Sequence, residues 1–434
     1  MDQTSGMNAA FPFNPADYFT YVLDQEIRDA GMPGGYCGLA LQLGADPDLD
    51  SLQRRLDLLV ERFPKASARI EQQGKRYAWI PTGNPILLEC HQGHPDKNSE
   101  EETRRILLEI FNRPESLPLT LHWIATRPGG TLLLNWNHPL LDARGAKILL
   151  DFLASDKPES FKESPSLINA KLAQWSFWKK LQLLFKAKRH NDEANSLDSC
   201  LPTQTEQGAQ TLNLKVRRFN TEESKHIAAL ARKYTGLAGR TLYYLGCFMR
   251  AMEQVGPPAA KAGYCVPYAF NLRRQNAPTP VFGNHVGCLF ARATRAQVKK
   301  RHGLFEHLLS QHTKVVREEL DLAYLPLMWL GQWLAPARYA QLLRKQHSGG
   351  ELSSLWFSDI GDLSWGQKGF LGAPVTNLTM MCWMPLPPGL ALLVGQLDGR
   401  LTLSYSYLSP AVDEVWLDKV MAGMDAELLE FGES

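Results

Sequence analysis

The stretch TLLLNWNHPLLDARGAKILLDFLA (131–154) decides how the rest of the chain is read. Leu132 to Asn137 form an apolar strand that runs into His138. Pro139 biases the residue before it toward extended backbone, so the strand ends at His138. Leu140 and Leu141 turn the chain. Asp142 then stands where an N-cap belongs, before a helix that turns Ile148, Leu149, Phe152 and Leu153 inward. An imidazole therefore projects from a strand end, with a carboxylate four residues on. A strand end holds a general base rigidly. Imidazole has a pKa near working pH, so it can take a proton from a hydroxyl or amine and return it. A buried Asp142 would hold the local backbone by pairing with an arginine. On spacing alone a structural histidine beside a helix cap is the commoner reading, because any HxxxD arises easily by chance.

Composition narrows the classes around this stretch. A chain of 434 residues holds one large domain or two to three ordinary ones. With 44% hydrophobic and 21% charged residues, a disordered or collagen-like chain is excluded. Lys plus Arg total 47 against 45 for Asp plus Glu, so no net basic field draws nucleic acid. The seven cysteines include no CxxC pair, which argues against a disulfide framework or structural zinc and for a reducing cytosol. The opening residues MDQTSGMNAAFPFNP lack a charged start followed by an apolar run, so no secretory signal is expected. Apolar runs such as 390–394 fall far short of the roughly 18 residues of a membrane span.

Outward from the motif, strands and helices alternate. Residues 36–44 alternate as a half-buried strand, and Asp46-Pro47 open an amphipathic helix over 47–63. Two strands flank the turn at 72–75. A helix follows at 99–112, then strands at 118–126 and 131–137 joined through Pro128-Gly129-Gly130. Residues 155–210, rich in Ser, Asp, Lys and Pro at both ends, read as a connection. The second half resumes with a strand at 210–218, helices at 221–235 and 238–255, and strands at 263–270 and 285–293. Helical segments fill 296–346, strands return at 353–359, 374–384, 390–397 and 401–408, and Ser409-Pro410 caps a last helix. This order predicts an α/β fold with mixed sheets. The expected division is an N-terminal lobe (1–160), a crossover linker with a basic helix (161–209) and a C-terminal lobe (210–434).

His138-x-x-x-Asp142 with Gly145 nearby, directly after an apolar strand, resembles the HxxxD motif of the chloramphenicol acetyltransferase-like superfamily. That superfamily includes condensation domains of peptide synthetases, wax ester synthases and polyketide-associated acyltransferases. Further segments fall in the same order. Residues 266–273 (VPYAFNLR) resemble the family's strand ending in N-x-R, residues 282–287 (FGNHVG) its G-N segment, and 358–361 (SDIG) a later S-N-x-G stretch. Glu61-Arg62-Phe63-Pro64 resembles its E-R-x-P helix end. The chain departs at Asn137, where many members carry a first histidine, and at Ala143-Arg144, which separate Asp142 from the glycine. The D-F-G-W-G signature of the plant enzymes is absent, with Val281-Phe282-Gly283-Asn284 in its place.

The resemblance implies two similar lobes with a channel between them. It implies an acyltransferase that moves an acyl group from a CoA or carrier-protein thioester to a hydroxyl or amine. His138 would be the general base, with no covalent intermediate. Asp142 would be structural and Arg273 its ion-pair partner; Asn284 would sit near the oxyanion. Gly145, Gly283, His285 and Ser358 would line the substrate channel. No metal or bound cofactor is implied; acyl-CoA or an acyl-phosphopantetheine carrier is the co-substrate, and a small molecule or lipid the acceptor. An amide-forming condensation enzyme and a silent member that binds a carrier or lipid are the alternatives.

The segment KLAQWSFWKKLQLLFKAKRH (171–190) carries six Lys or Arg and no acid, with Ala173, Phe177, Trp178, Leu181, Leu184 and Phe185 on one arc. It fits either a helix docked on its own domain or a peripheral membrane contact for a cytoplasmic protein. Cys90-His91-x-x-His94 has metal-ligand residue types beside a strand but no fourth ligand, which argues against zinc. The Leu- and Trp-rich run 322–339 reads as a core helix ahead of a channel wall for an acyl chain.

Overall fold

The computed structural model describes residues 10–94, 98–126, 129–161, 167–203, 208–236, 239–273, 282–345 and 353–430. Pro128 of the expected turn, Val281, much of the opening segment and parts of the 161–209 connection lie outside them. The strand predicted before His138 is Gly130–Asn137, buried along its whole length. Leu132, Leu134 and Trp136 pack into one core with Leu149, Leu150 and Leu153 of the helix Ala143–Ala154. Leu133 faces the other side, against Ile106, Leu107, Ile110 and Phe111 of the helix Ser99–Phe111. Helices on both faces explain a strand that is apolar at consecutive positions rather than alternating. Each fully buried leucine contributes about 1.5–3 kcal/mol.

This strand is central in a five-stranded sheet. Its order is Val375–Cys382, Tyr36–Leu43, Gly130–Asn137, Leu119–Ala125 and Leu88–Gln92. A six-stranded sheet carries the second half, in the order Val286–Thr294, Gly263–Asn271, Trp356–Leu363, Leu390–Leu397, Arg400–Ser409 and Thr211–Arg218. Both sheets mix parallel and antiparallel pairs, as the α/β reading with mixed sheets expected. A small third sheet joins Phe11–Pro12, Arg76–Pro81 and Ala68–Gln73. The strand Val375–Cys382 comes from the C-terminal half yet pairs with Tyr36–Leu43, Thr379 opposite Ala40. One element thus ties the two halves through backbone hydrogen bonds.

Several boundaries move. The early helix is Leu49–Arg62, and Asp48 rather than Asp46 caps it, its Oδ1 accepting from Ser51 N at 2.8 Å. The last helix is Glu414–Leu429, capped by Asp413, while Ser409 still ends a strand. In both places the backbone needs a short polar acceptor three residues before a free N–H, and a nearer Asp supplies it. The 353–359 strand begins later, at Trp356, and runs to Leu363. The 296–346 region is four helices, and the Leu-rich run supplies Ala323, Tyr324, Leu325 and Met328 to the core.

The connection holds two helices, Leu167–Gln174 and Phe177–Asn195, with Ser176 capping the second. The second is docked, but not by the expected arc. Leu183, Ala187 and His190 face inward, whereas Phe177 (71%), Trp178 (74%) and Phe185 (66%) are exposed. His190 decides this: its Nδ1 meets the hydroxyl of Tyr324 at 2.8 Å in the interior.

Candidate active site around His138

His138 leaves the sheet one residue after the last paired position. Its N–H donates to the Gly35 carbonyl at 2.9 Å, and Leu140 N–H closes a turn on Asn137 O. Asp142 caps the following helix, its Oδ1 accepting from Gly145 N at 2.6 Å. The carboxylate is 5% exposed and fully engaged. Arg273 Nη1 reaches both of its oxygens, at 2.9 and 2.7 Å, and His285 N–H donates to Oδ2 at 2.7 Å. Burial raises the Asp142 pKa, but Arg273 and the His285 N–H outweigh it and hold it below the ordinary value. Asp142 is thus a fixed anion, joining the helix start to residues 131 and 143 positions further along.

Arg273 is itself pinned. Its Nη2 donates to Gly283 O, and its N–H to Asn271 Oδ1 at 3.0 Å. Gly145 lies under this crossing: a Cβ there would stand 2.6 Å from Gly283 O and 3.3 Å from Arg273 Nη2. Its N–H is spent on Asp142, so the shift of this glycine away from Asp142 leaves it as a packing contact for the 283 loop. Gly283 adopts φ +114°, a conformation that glycine takes without strain. Phe282 stacks on Phe63 of the E-R-F-P segment, ring centres 5.1 Å apart.

Asn284 is wholly buried, and its amide does not face open space. Nδ2 donates to Thr20 Oγ1 at 3.0 Å and to His138 O at 3.3 Å, and Oδ1 accepts from Val286 N. The residue therefore steadies the backbone that carries the imidazole. Ser358 lies mid-strand opposite Leu393, and no hydrogen bond among the described residues links it to this cluster.

The first helix, Pro15–Asp29, supplies residues that the sequence reading did not single out. Asp17, Thr20 and Asp24 share one face, each at most 4% exposed. Thr20 holds Asn284. Asp24 Oδ1 accepts from Gly35 N at 2.7 Å and from Asn137 Nδ2 at 2.8 Å. Asn137 thus has a partner of its own, and the Gly35 loop that receives His138 N–H is tied to the same carboxylate. Asp17 meets Lys65 Nζ at 3.2 Å, yet burial still raises its pKa. A polar face at helical spacing reads as solvent-facing in sequence; no local signal distinguishes it from a buried one.

The two histidines of the cluster differ. His285 is 2% exposed, and neither ring nitrogen has a hydrogen-bond partner. Burial, with Arg273 and Lys65 nearby, pushes its pKa down to about 3. His138 keeps intermediate exposure, although its Nδ1 is buried and meets no group outside its own residue. Burial lowers its pKa, while its own backbone carbonyl and Asp142 act in the opposite sense. Of His138, Asp142, Gly145, Arg273, Gly283, Asn284 and His285, only His138 is not buried. A cavity of about 500 Å³ lies elsewhere between the halves, lined by Gln42, Arg104, Leu214, Arg218 and Thr379 among others; His138 does not line it.

Comparison with known proteins places the fold. No protein-family model matches the chain, and no curated protein matches it in sequence. Solved structures match over nearly its whole length. The first condensation domain of the calcium-dependent antibiotic synthetase, in complex with a substrate analogue, superposes with a TM-score of 0.72 at 12% identity, covering 99% of this chain and 98% of that one. Trichothecene 15-O-acetyltransferase from Fusarium sporotrichioides gives 0.71 at 12% identity, over 99% and 97%. Polyketide synthase associated protein 5 from Mycobacterium tuberculosis gives 0.62 at 13%, over 98% and 100%. The chain therefore has the condensation-domain fold that the resemblance implied.

Proposed function

We propose that this protein is an acyltransferase in which His138 acts as general base. The observation that carries the reading is the contrast inside the cluster: a fully engaged, charge-balanced Asp142–Arg273 pair beside His138, the one residue of the cluster that keeps intermediate exposure. His138 Nε2 would take the proton of a hydroxyl or amine acceptor. The acceptor oxygen or nitrogen attacks the thioester carbonyl, and the tetrahedral adduct collapses by breaking the C–S bond. The departing thiolate recovers the proton from His138. Buried Nδ1, turned to its own carbonyl, favours the tautomer with Nε2 free to accept. Asp142, Arg273 and Asn284 are positioning residues, and Gly145, Gly283 and His285 shape the wall behind them. No nucleophilic side chain is needed, so donor and acceptor bind together.

The donor is an acyl-CoA or an acyl-phosphopantetheine carrier. Likeness to condensation domains also supports an amide-forming reading with carrier-bound partners. Purified protein supplied with acyl-CoA or with acyl-carrier, and with alcohol or amine acceptors, separates the two. Loss of product in a folded His138→Ala variant supports the base role; product formed at the wild-type rate excludes it. No product from wild type with either donor favours the silent reading.

A lipid acceptor is the reading that the 171–190 segment would favour. No helix among the described residues is long and apolar enough to cross a membrane. Phe177, Trp178 and Phe185 nevertheless project from one docked helix, which suits insertion at a membrane surface. Its cations are partly occupied: Lys179 pairs with Glu319, Lys186 with Glu318 O, Arg189 with Glu318, and Lys180 lies over Trp329. In flotation with anionic vesicles, Phe177→Ser/Trp178→Ser/Phe185→Ser should therefore lose more binding than Lys179→Glu/Lys180→Glu/Lys186→Glu. Wild type that stays off the vesicles ends the idea.

A further inference from the structure

A second polar cluster sits on the edge of the five-stranded sheet. His122 pairs across the sheet with Leu133, five residues before His138, about 16 Å along the strand. The edge strand Leu88–Gln92 runs parallel to Leu119–Ala125, with Glu89 opposite His122 and His91 opposite Ile124. Alternation places Glu89 and His91 on one face, the face His122 shares. Three donor atoms converge there. His91 Nε2 lies 3.1 Å from His122 Nδ1, His122 Nδ1 3.3 Å from Glu89 Oε2, and His91 Nε2 3.9 Å from the same oxygen. A point equidistant from all three is about 2.0 Å from each, the length of a Zn–N or Zn–O bond.

The site has a fixed floor and an open top. The His122 side chain is 4% exposed, His91 21% and Glu89 52%. His122 Nε2 is held by Thr120 Oγ1 at 3.0 Å, and Asn135 Nδ2 donates to that hydroxyl at 3.2 Å. This is the outer support a ligating imidazole needs, since it aims the other nitrogen at the cluster. Cys90 lies between the two edge ligands in sequence and alternates to the other face. It is exposed, and the three converging donors do not include it or His94. Two imidazoles and one carboxylate suit Zn²⁺ better than Ca²⁺ or Mg²⁺, which take oxygen ligands.

We propose that Glu89, His91 and His122 bind one Zn²⁺-class ion, with water as fourth ligand, clamping the edge strand Leu88–Gln92 to its neighbour. This departs from the metal-free expectation and from the Cys90-His91-His94 pattern; of those three only His91 takes part. The site is separate from the proposed acyl-transfer centre.

The test is calorimetric titration of the metal-depleted full chain with ZnCl₂, repeated with CoCl₂ while recording the visible d–d absorption. The expected result is one saturable equivalent and a four-coordinate Co²⁺ spectrum. Both should be lost in His91→Gln and in Glu89→Gln, and kept in His94→Ala and Cys90→Ser. The replaced side chains lie on a solvent-facing edge, so circular dichroism should be unchanged. Zn²⁺ should also raise the wild-type thermal midpoint, and Mg²⁺ should not. Thr120→Val, which removes the outer support, should weaken binding about 10–100-fold. Absence of a saturable equivalent, binding undiminished in both His91→Gln and Glu89→Gln, or loss in His94→Ala overturns the proposal.

Discussion

His138 and His285 both neighbour Asp142, and burial lowers the pKa of both. Their surroundings otherwise diverge. His285 gives its backbone N–H to Asp142 and shuts its ring inside the protein with two unpartnered nitrogens. His138 gives its backbone N–H and carbonyl to Gly35 and Asn284, and as a residue keeps intermediate exposure. Proximity to the carboxylate therefore does not distinguish a reactive imidazole from a structural one. What separates them is residual exposure on a held backbone: a base must reach a second molecule, and a sealed ring cannot.

The largest expected effect falls on His138. Replacing it by Ala should cut acyl transfer by about 10²–10⁴-fold, the usual contribution of a positioned base. His285→Ala should cost far less, and an equal loss in steady-state rates would break the contrast. Because burial holds His138 below its ordinary 6.5, the base form persists into mildly acidic solution. Activity should then fall only as pH drops through that lowered value.

Next comes the pair that both histidines border. Arg273→Leu leaves the Asp142 carboxylate buried without its cation. A single-sided break of such a pair costs about 3–5 kcal/mol, measurable by urea unfolding. A cost below 1 kcal/mol would mean that the His285 and Gly145 N–H groups suffice.

The smallest effect sharpens the sealed side. The unfolded chain protonates His285 below about 6.5, while the folded chain resists until about 3. This group's stabilising contribution is full above pH 6.5 and is lost as pH falls toward 3. Asp142, also lowered, adds the same sign only below about 3.8. His285→Leu should therefore flatten the stability-versus-pH curve between 6 and 4 by about 1.4 kcal/mol per pH unit. An unchanged slope would show that His285 takes up its proton without unfolding.

Much of this site is legible in the sequence. The strand into His138, the Asp142 cap and the candidate partner Arg273 follow from the apolar run, proline's neighbour effect and motif resemblance. The caps that the sequence suggests at Asp46 and Ser409 lie two to four residues before the ones the helices use, Asp48 and Asp413, because several short polar residues compete for the same role. The buried stripe Asp17, Thr20 and Asp24 was not legible. Its partners Lys65, Asn284, Gly35 and Asn137 lie 11 to 264 positions away, and polar residues at helical spacing look the same on either face. The basic helix docks on its own protein, one of the two readings its sequence allows. Its inward face is not legible for the same reason: both faces carry apolar residues, and the burial of Leu183 and Ala187 and the Tyr324 contact with His190 choose between them.

By itself, then, the sequence determined the elements and the fold class, because hydrophobic period, caps and turns act over a few residues. It also determined which imidazole ends a strand. Tertiary structure alone decided which polar groups are sealed and which stay open, how Val375–Cys382 stitches the two halves, and that Glu89 and His91 meet His122. Those outcomes depend on which distant groups satisfy a buried donor or charge, and chain neighbours do not encode that choice.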